Sequence, residues 1–411
     1  LRLIYLKFHR IEEKYISRVH KYSQTLNRNN DDMTGVDVID CTLTDNLVVD
    51  CAYYRGSSSS RLFLLLILFS AFEVGSVKAL IPICVELHKK NIKYKIDRKG
   101  YFKKIKINKY VNIRSSNEDI KKYLIKNSIK LLIFSVNLKD ETPLKIARVA
   151  KNLNIYTMHV LDYWNGYMSR MNLDGKKPFI PDYYFVPDSL AKREAIKDGI
   201  SQKTIFVSGH PDFAELTKKY LINKKINTKE LSIKKDKKII LFASEPVSLD
   251  QGTSLLKNKK FRGYTEVDAM NLLIRNLESL KSINILVLVM CHPRDSFKKI
   301  KKLWSKLGGD QYGYVIKNTD PMKLLPHIDA VAGMASTLLH ISWLLGKKVI
   351  SIQPNLRIKN LESIGLRPGV TFIKKKISAN LKIKKWISSI KKVKIDKFRN
   401  ECNLHLDSNK K

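Results

Sequence analysis

Five short segments of this chain combine acids, bases, hydroxyls and glycines in patterns that suit ligand chemistry. In residues 70–76, Gly75 permits close backbone approach and Glu73 is a candidate general base for an acceptor hydroxyl. The plainer reading of Glu73 is a helix-start carboxylate favoured by the dipole. Residues 161–170 gather Asp162, Trp164, Asn165 and Arg170. An aromatic face suits a sugar ring, and Asp162 and Asn165 suit hydroxyls; a capped loop packed on a sheet is the alternative. Residues 207–212 set His210 in a Gly-His-Pro turn. Residues 290–295 set His292 and Arg294 in a His-Pro-Arg turn, where the guanidinium fork matches a diphosphate. In the fifth segment, residues 333–354, Gly333 precedes Ser336 and Thr337, which open a helix that Gly346 closes. The first N–H groups of such a helix hold phosphate. Asp182 and Asp188 flank a further strand and read as turn and helix caps.

The elements that must carry these segments alternate. Residues 62–70 read as a strand, 77–89 as an amphipathic helix, 93–96 as a strand and 117–126 as a helix with Ser116 as its N-cap. Residues 131–136, 143–153, 156–161, 183–186, 189–198 and 205–208 continue the series. A basic stretch at 221–238 reads as a linker. A second alternation begins at 239 and runs through 267–280, 285–290, 297–307, 314–316, 321–325, 330–332, 337–345 and 349–352. Strand, helix, strand at this spacing means parallel sheets covered on both faces. The expected fold is α/β, with two Rossmann-like doubly wound domains facing a cleft. Its divisions are an appendage at 1–60, an acceptor domain at 61–220, the linker at 221–238, a nucleotide domain at 239–375 and a basic helical tail at 376–411. All five segments then fall at carboxyl ends of strands, where such sheets bind ligands.

Composition narrows the classes. The 411 residues exceed one typical core. Lys and Arg number 77 against 38 Asp and Glu, a net charge of +39. That balance favours anionic partners, including an acidic membrane surface. The excess is mostly lysine, however, spread along the chain with Ile and Asn as a compositional bias would spread it. No zinc-finger, RNA-recognition or basic-zipper pattern is present, so nucleic acid is not the expected partner. Cys41, Cys51, Cys84, Cys291 and Cys402 are scattered and odd in number, which fits free thiols in a reducing, cytoplasmic setting. The apolar run beginning at Leu62 falls short of the ~20 residues a spanning helix needs, and Glu73 and Gly75 interrupt it.

In the order of its Gly-His-Pro, His-Pro-Arg and Gly-x-x-Ser-Thr motifs, with a ten-residue step from Ser336 to Gly346, the chain resembles the GT-B glycosyltransferase superfamily. That superfamily includes the UDP-N-acetylglucosamine 2-epimerase-like branch, and the match spans residues 62–375. The resemblance implies a nucleotide-sugar donor held mainly by the second domain and a glycan or lipid-linked acceptor held by the first. Gly333, Ser336 and Thr337 would meet donor phosphate, with His210, Arg294 and His340 also on the donor side. Gly75, Trp164, Asn165 and Arg170 would line the acceptor side, and Glu73, Asp162 and His292 would do the chemistry. Without a DxD-like metal pair, no cofactor or essential metal is expected. Two positions depart from the pattern. Ile341 stands where many members place a ribose-binding Glu, and Glu73-Val-Gly75 replaces the Arg-Pro-Glu turn of the epimerases. The expected activity is sugar transfer in surface-polysaccharide or glycoconjugate synthesis, in the cytoplasm or at the inner membrane face. A sugar-nucleotide epimerase and a non-catalytic nucleotide-binding relative are the alternatives.

Overall fold

The computed structural model describes residues 66–391, apart from 108, 138–139, 224–236, 281–283, 318–319 and 359–360, together with residue 399. The expected appendage at 1–60 and most of the linker lie outside the described residues.

The first domain is a seven-stranded sheet. Its strands are β1 (Leu66–Ser70), β2 (Tyr94–Asp97), β3 (Tyr110–Val111), β4 (Ile129–Phe134), β5 (Tyr156–Val160), β6 (Tyr183–Val186) and β7 (Ile205–Val207), in the order β3-β2-β1-β4-β5-β6-β7. Every pairing is parallel. Helices α1 (Val74–Lys89), α2 (Asn117–Lys126), α3 (Thr142–Asn152), α4 (Tyr167–Arg170), α5 (Ser189–Lys197) and α6 (Pro211–Asn223) connect and cover it. Strand β1 lies inside the sheet, and both its faces are apolar. Ile67 and Phe69 pack against α1, and Leu68 packs on the opposite side with Ile120 and Leu144.

The second domain repeats the plan with β8 (Lys238–Ala243), β9 (Ile285–Met290), β10 (Gly313–Ile316), β11 (Ala330–Gly333), β12 (Lys348–Ile352) and β13 (Thr371–Ile373). Their order is β10-β9-β8-β11-β12-β13, again all parallel. Its helices are α7 (Val247–Gln251), α8 (Glu266–Glu278), α9 (Phe297–Lys306), α10 (Pro321–Leu324), α11 (Thr337–Leu344) and α12 (Ala379–Ser388).

Several expectations are refined. Helix α1 starts three residues earlier than its apolar stripe indicated, with Glu73 at the N-cap position. The ten residues after β5 are not all loop, since Tyr167–Arg170 form a helical turn. Helix α12 is no appended tail: Ile383, Trp386 and Ile387 are buried in the core of the second domain. The expected linker loses its first three residues to α6. That helix packs on α1 in one domain and on α10 in the other, and one apolar cluster crosses the boundary from Leu132 and Phe213 to Leu241 and Leu339. Among the described residues no helix is long and apolar enough to cross a membrane.

Candidate active site between the two sheets

Each sheet has one place where neighbouring strands send their connections to opposite faces. In the first it lies between β1 and β4, in the second between β8 and β11. Such switch points open a crevice at the carboxyl ends of the strands. The two crevices face each other. The Tyr163 hydroxyl, just after β5, donates to the Ala335 carbonyl just after β11. The Glu73 carboxylate, just after β1, acts on the Arg294 guanidinium, just after β9.

On the first-domain side Glu73 is half-buried at the start of α1, its side chain making no cap hydrogen bond. Four expected residues of this side form a single brace. A Cβ at Gly75 would stand 2.9 Å from Asp162 Oδ2, so the glycine is what lets that carboxylate approach the helix start. Ser76 Oγ donates to Asp162 Oδ2 at 2.8 Å, and Arg170 Nη1 donates to Oδ1 at 2.5 Å. Arg170 also donates to the Val136 carbonyl at 2.6 Å, the Asn165 carbonyl at 3.1 Å and Asn165 Oδ1 at 3.2 Å. Burial would raise the Asp162 pKa, but Arg170, Ser76 and His210 outweigh it and hold the carboxyl below its usual range. With both oxygens engaged, Asp162 is a fixed counter-ion. The expectation that it would activate an acceptor is corrected on that ground, and so is the acceptor contact expected for Arg170, which is 3% exposed.

Trp164, His210 and His340 are also interior. The Trp164 and His340 rings stack 4.1 Å apart at 5°, and His210 stacks on the same indole at 6.2 Å. His210 further stacks on Phe213 and sets Nε2 3.0 Å from the Asp162 carbonyl. Covered ring faces cannot serve as a sugar platform, so the expected ligand contacts of all three are replaced by packing. Trp164 Nε1 donates to Asp188 Oδ2 at 2.7 Å, and Arg367 Nη2 donates to the same oxygen at 2.6 Å. The Arg367 guanidinium lies over both Trp164 and Trp343, 5.1 Å from each ring. This buried cluster joins β5 and β6 of one domain to α11 and the segment before β13 of the other. Burial first, then Arg367 and His210, drives the His340 pKa far down, so its ring is neutral.

On the second-domain side the turn after β11 is held by its own chain. A Cβ at Gly333 would meet Leu339 Cδ1 at 2.8 Å and the Ala243 carbonyl at 3.0 Å, so this glycine serves packing. Glu245, after β8, accepts the Ala335 N–H at 2.6 Å and lies 3.5 Å from Arg262 Nη1. Burial pushes its pKa up, and Arg262 and the amides oppose that shift. Ser336 Oγ caps α11 by accepting the Leu338 N–H at 3.2 Å. The N–H groups of Ser336 and Thr337 have no protein acceptor among the described residues. His292 Nδ1 accepts the Arg294 N–H at 3.2 Å, so a neutral ring carries its proton on Nε2. Arg294 is held in a fork by Asp250 at 2.5 and 2.6 Å; that pairing, with burial opposing and Glu73 assisting, raises its pKa and keeps it charged. Strand spacing puts the β9 and β11 ends about 10 Å apart, within the span of a nucleoside diphosphate. No group of three or more His, Cys, Asp or Glu is placed to hold a metal ion among the described residues.

Asp97 escaped the sequence reading because β2 carries no glycine or histidine to mark its end. It is 1% exposed at the carboxyl end of β2, beside Ser70, and neither oxygen accepts a hydrogen bond of normal geometry. Burial pushes its pKa from 3.8 up to about 6; Lys99 at 3.9 Å, the Ile113 amide and Ser70 only partly offset it, and Asp140 adds to the rise. A carboxyl so raised carries a penalty of about 3 kcal/mol in its charged form. Because the folded value lies above the unfolded one, that penalty is absent below about pH 4 and complete above about pH 6. Asp97→Asn is therefore expected to stabilise the fold by up to about 3 kcal/mol at neutral pH and to change little below about pH 4. Urea unfolding at the two pH values checks this; a loss of stability at neutral pH would show that the charge is needed.

The site thus lies in a two-domain GT-B-type fold, with paired Rossmann-like halves and their crevices opposed. Solved structures share this fold. UDP-GlcNAc 2-epimerase from Methanocaldococcus jannaschii matches with a TM-score of 0.57 at 17% identity, over 84% of this chain and 97% of that one. The enzyme of the same name from Rickettsia bellii matches with 0.57 at 15% identity, over 84% and 95%. That from Neisseria meningitidis, bound to UDP-GlcNAc, matches with 0.55 at 14% identity, over 84% and 97%. At such identities the likeness establishes the fold. No family model matches the chain, and no curated protein matches it by sequence.

Proposed function

We propose that the chain is a nucleotide-sugar enzyme, and specifically a glycosyltransferase that moves a sugar from a nucleotide donor to a glycan or lipid-linked acceptor. The supporting observation is the pairing across the cleft. Glu73 stands on the first-domain side, and Arg294 and the start of α11 stand on the second-domain side. In this reading Glu73 takes the proton of the acceptor hydroxyl as that oxygen attacks the anomeric carbon. The bond to the nucleoside diphosphate breaks, and negative charge grows on the departing phosphate. The Ser336 and Thr337 N–H groups, His292 Nε2–H and Arg294 meet that charge with fixed donors. Asp162 and Arg170 position the Glu73 segment through Ser76 and do not touch substrate.

The second reading is a sugar-nucleotide 2-epimerase. It is favoured by the solved structures, one of which holds UDP-GlcNAc and UDP. Epimerisation by elimination calls for proton removal at the sugar ring without an acceptor. The carboxylates Asp162, Asp188 and Glu245 are each committed to internal partners, which leaves Glu73 and Asp97 as the carboxylates either reaction could use. Titration with UDP, GDP, CMP and CDP tests nucleotide binding. The fate of the matching sugar nucleotide without acceptor separates the two readings: inversion at C2 or fast release of free nucleotide would favour the epimerase.

A further inference from the structure

One side of the cleft mouth carries apolar side chains that stay exposed among the described residues. Helix α7 leaves Leu249 66% exposed, and the turn after it leaves Leu255 42% and Leu256 100% exposed. The turn is built rather than slack. The Asn258 N–H donates to the Ser254 carbonyl at 3.0 Å, the Lys260 N–H to Asn258 Oδ1 at 2.8 Å and the Phe261 N–H to the Asn258 carbonyl at 3.0 Å. Lys257, Lys259 and Lys260 follow the leucines and are all exposed. The opposite lip is made the same way. Phe72 and Val74 flank Glu73 at 39% and 44% exposure. The Tyr101 N–H donates to the Phe72 carbonyl at 2.7 Å, which brings the exposed Lys103 and Lys104 beside them. Asp250, next to Leu249, holds Arg294, and Arg294 responds to Glu73, so the two lips adjoin.

We propose that these two lips are a docking surface for an acidic lipid bilayer. Leucine and phenylalanine side chains on projecting turns gain by entering the boundary between headgroups and acyl chains, and the flanking ammonium groups gain from anionic headgroups. The pattern suits an anionic bilayer because exposed apolar side chains stand beside exposed lysines on both lips. Docked in this way, the chain presents the mouth of its cleft to the membrane, within reach of a substrate whose head stands at the headgroup level. The docking claim does not rest on the proposed reaction, since lipid binding is read without activity.

The test is flotation of the full chain with phosphatidylcholine vesicles, with and without phosphatidylglycerol. Wild type is expected to float with the anionic vesicles and not with the neutral ones. The Leu255→Ser/Leu256→Ser variant keeps the net charge of +39 yet is expected to bind anionic vesicles at least about tenfold more weakly, the scale set by burying a leucine. Lys257→Glu/Lys259→Glu/Lys260→Glu is expected to lose a similar amount, and more salt should abolish what remains. All the changed side chains are exposed, so melting temperatures should stay near wild type. Absence of wild-type flotation, equal flotation with neutral vesicles, or full flotation of the leucine variant would overturn the proposal; the last would mean that diffuse charge elsewhere does the binding.

Discussion

Arg367→Ala is expected to destabilise the chain by about 3–5 kcal/mol, the usual loss when one partner of a buried ion pair is removed. Arg367 is 7% exposed and its partner Asp188 is also 7% exposed. Without the guanidinium, the Asp188 carboxylate keeps only the Trp164 and Ala191 N–H donors, and the Trp164 and Trp343 faces lose the cation between them. Arg367→Lys should lose less, because it retains the charge while giving up the planar fork. Denaturant unfolding measures both. A loss below about 1 kcal/mol for the alanine variant would mean that the carboxylate is relieved by water or by a shift of the domains, in the manner of an exposed pair. The consequence for function is geometric, since this cluster sets one sheet's switch point against the other's.

Glu73→Gln is expected to lower turnover by about 10²–10⁴-fold, the range attributed to a positioned general base. Glutamine keeps the shape and the helix start but cannot take a proton. Nucleotide binding should persist, because the donor groups stand on the other domain, so the loss should fall on kcat rather than on donor KM. A variant that turns over within a few-fold of wild type would reduce Glu73 to a helix-start carboxylate.

The architecture was largely legible because parallel strands buried on both faces leave continuous apolar runs. Leu68, Ile133 and Leu241 lie in such runs, and the helices between them carry their own stops. Ser116 caps α2 through the Asp119 N–H, as its position before an acid-rich turn implies. Gly346 ends α11 at a positive φ of 81°. The site was legible only as a set of loops. Sequence placed Asp162, Trp164, Arg170 and His210 in segments that follow strands and His340 in a helix, and in the structure they follow β5 and β7 and lie in α11. Which way each side chain turns depends on partners from distant segments. Trp164 is covered because His340 arrives from the other domain, and Asp162 is spent because Arg170 folds back one turn of helix later. Asp188 was read as a cap and does cap α5. Its second role needs Arg367, 179 positions away, and no local period announces such a pair. Glu245 carried the same signal as Glu73, an acid directly after a strand, and could have been found by the same rule.

In the proposed function the cleft holds a nucleoside diphosphate between the start of α11 and Arg294. Calorimetric titration of wild type, Arg294→Ala and Ser336→Ala with UDP, GDP, CMP and CDP tests it most directly. Wild type is expected to bind at least one of them. Arg294→Ala should weaken that binding by about tenfold or more, as loss of a charge-assisted hydrogen bond does. Ser336→Ala should weaken it less, by loosening the helix start. Wild type that binds none of the four, or two variants that bind as tightly as wild type, would contradict the claim and leave the segment from Gly333 to Thr337 as architecture alone.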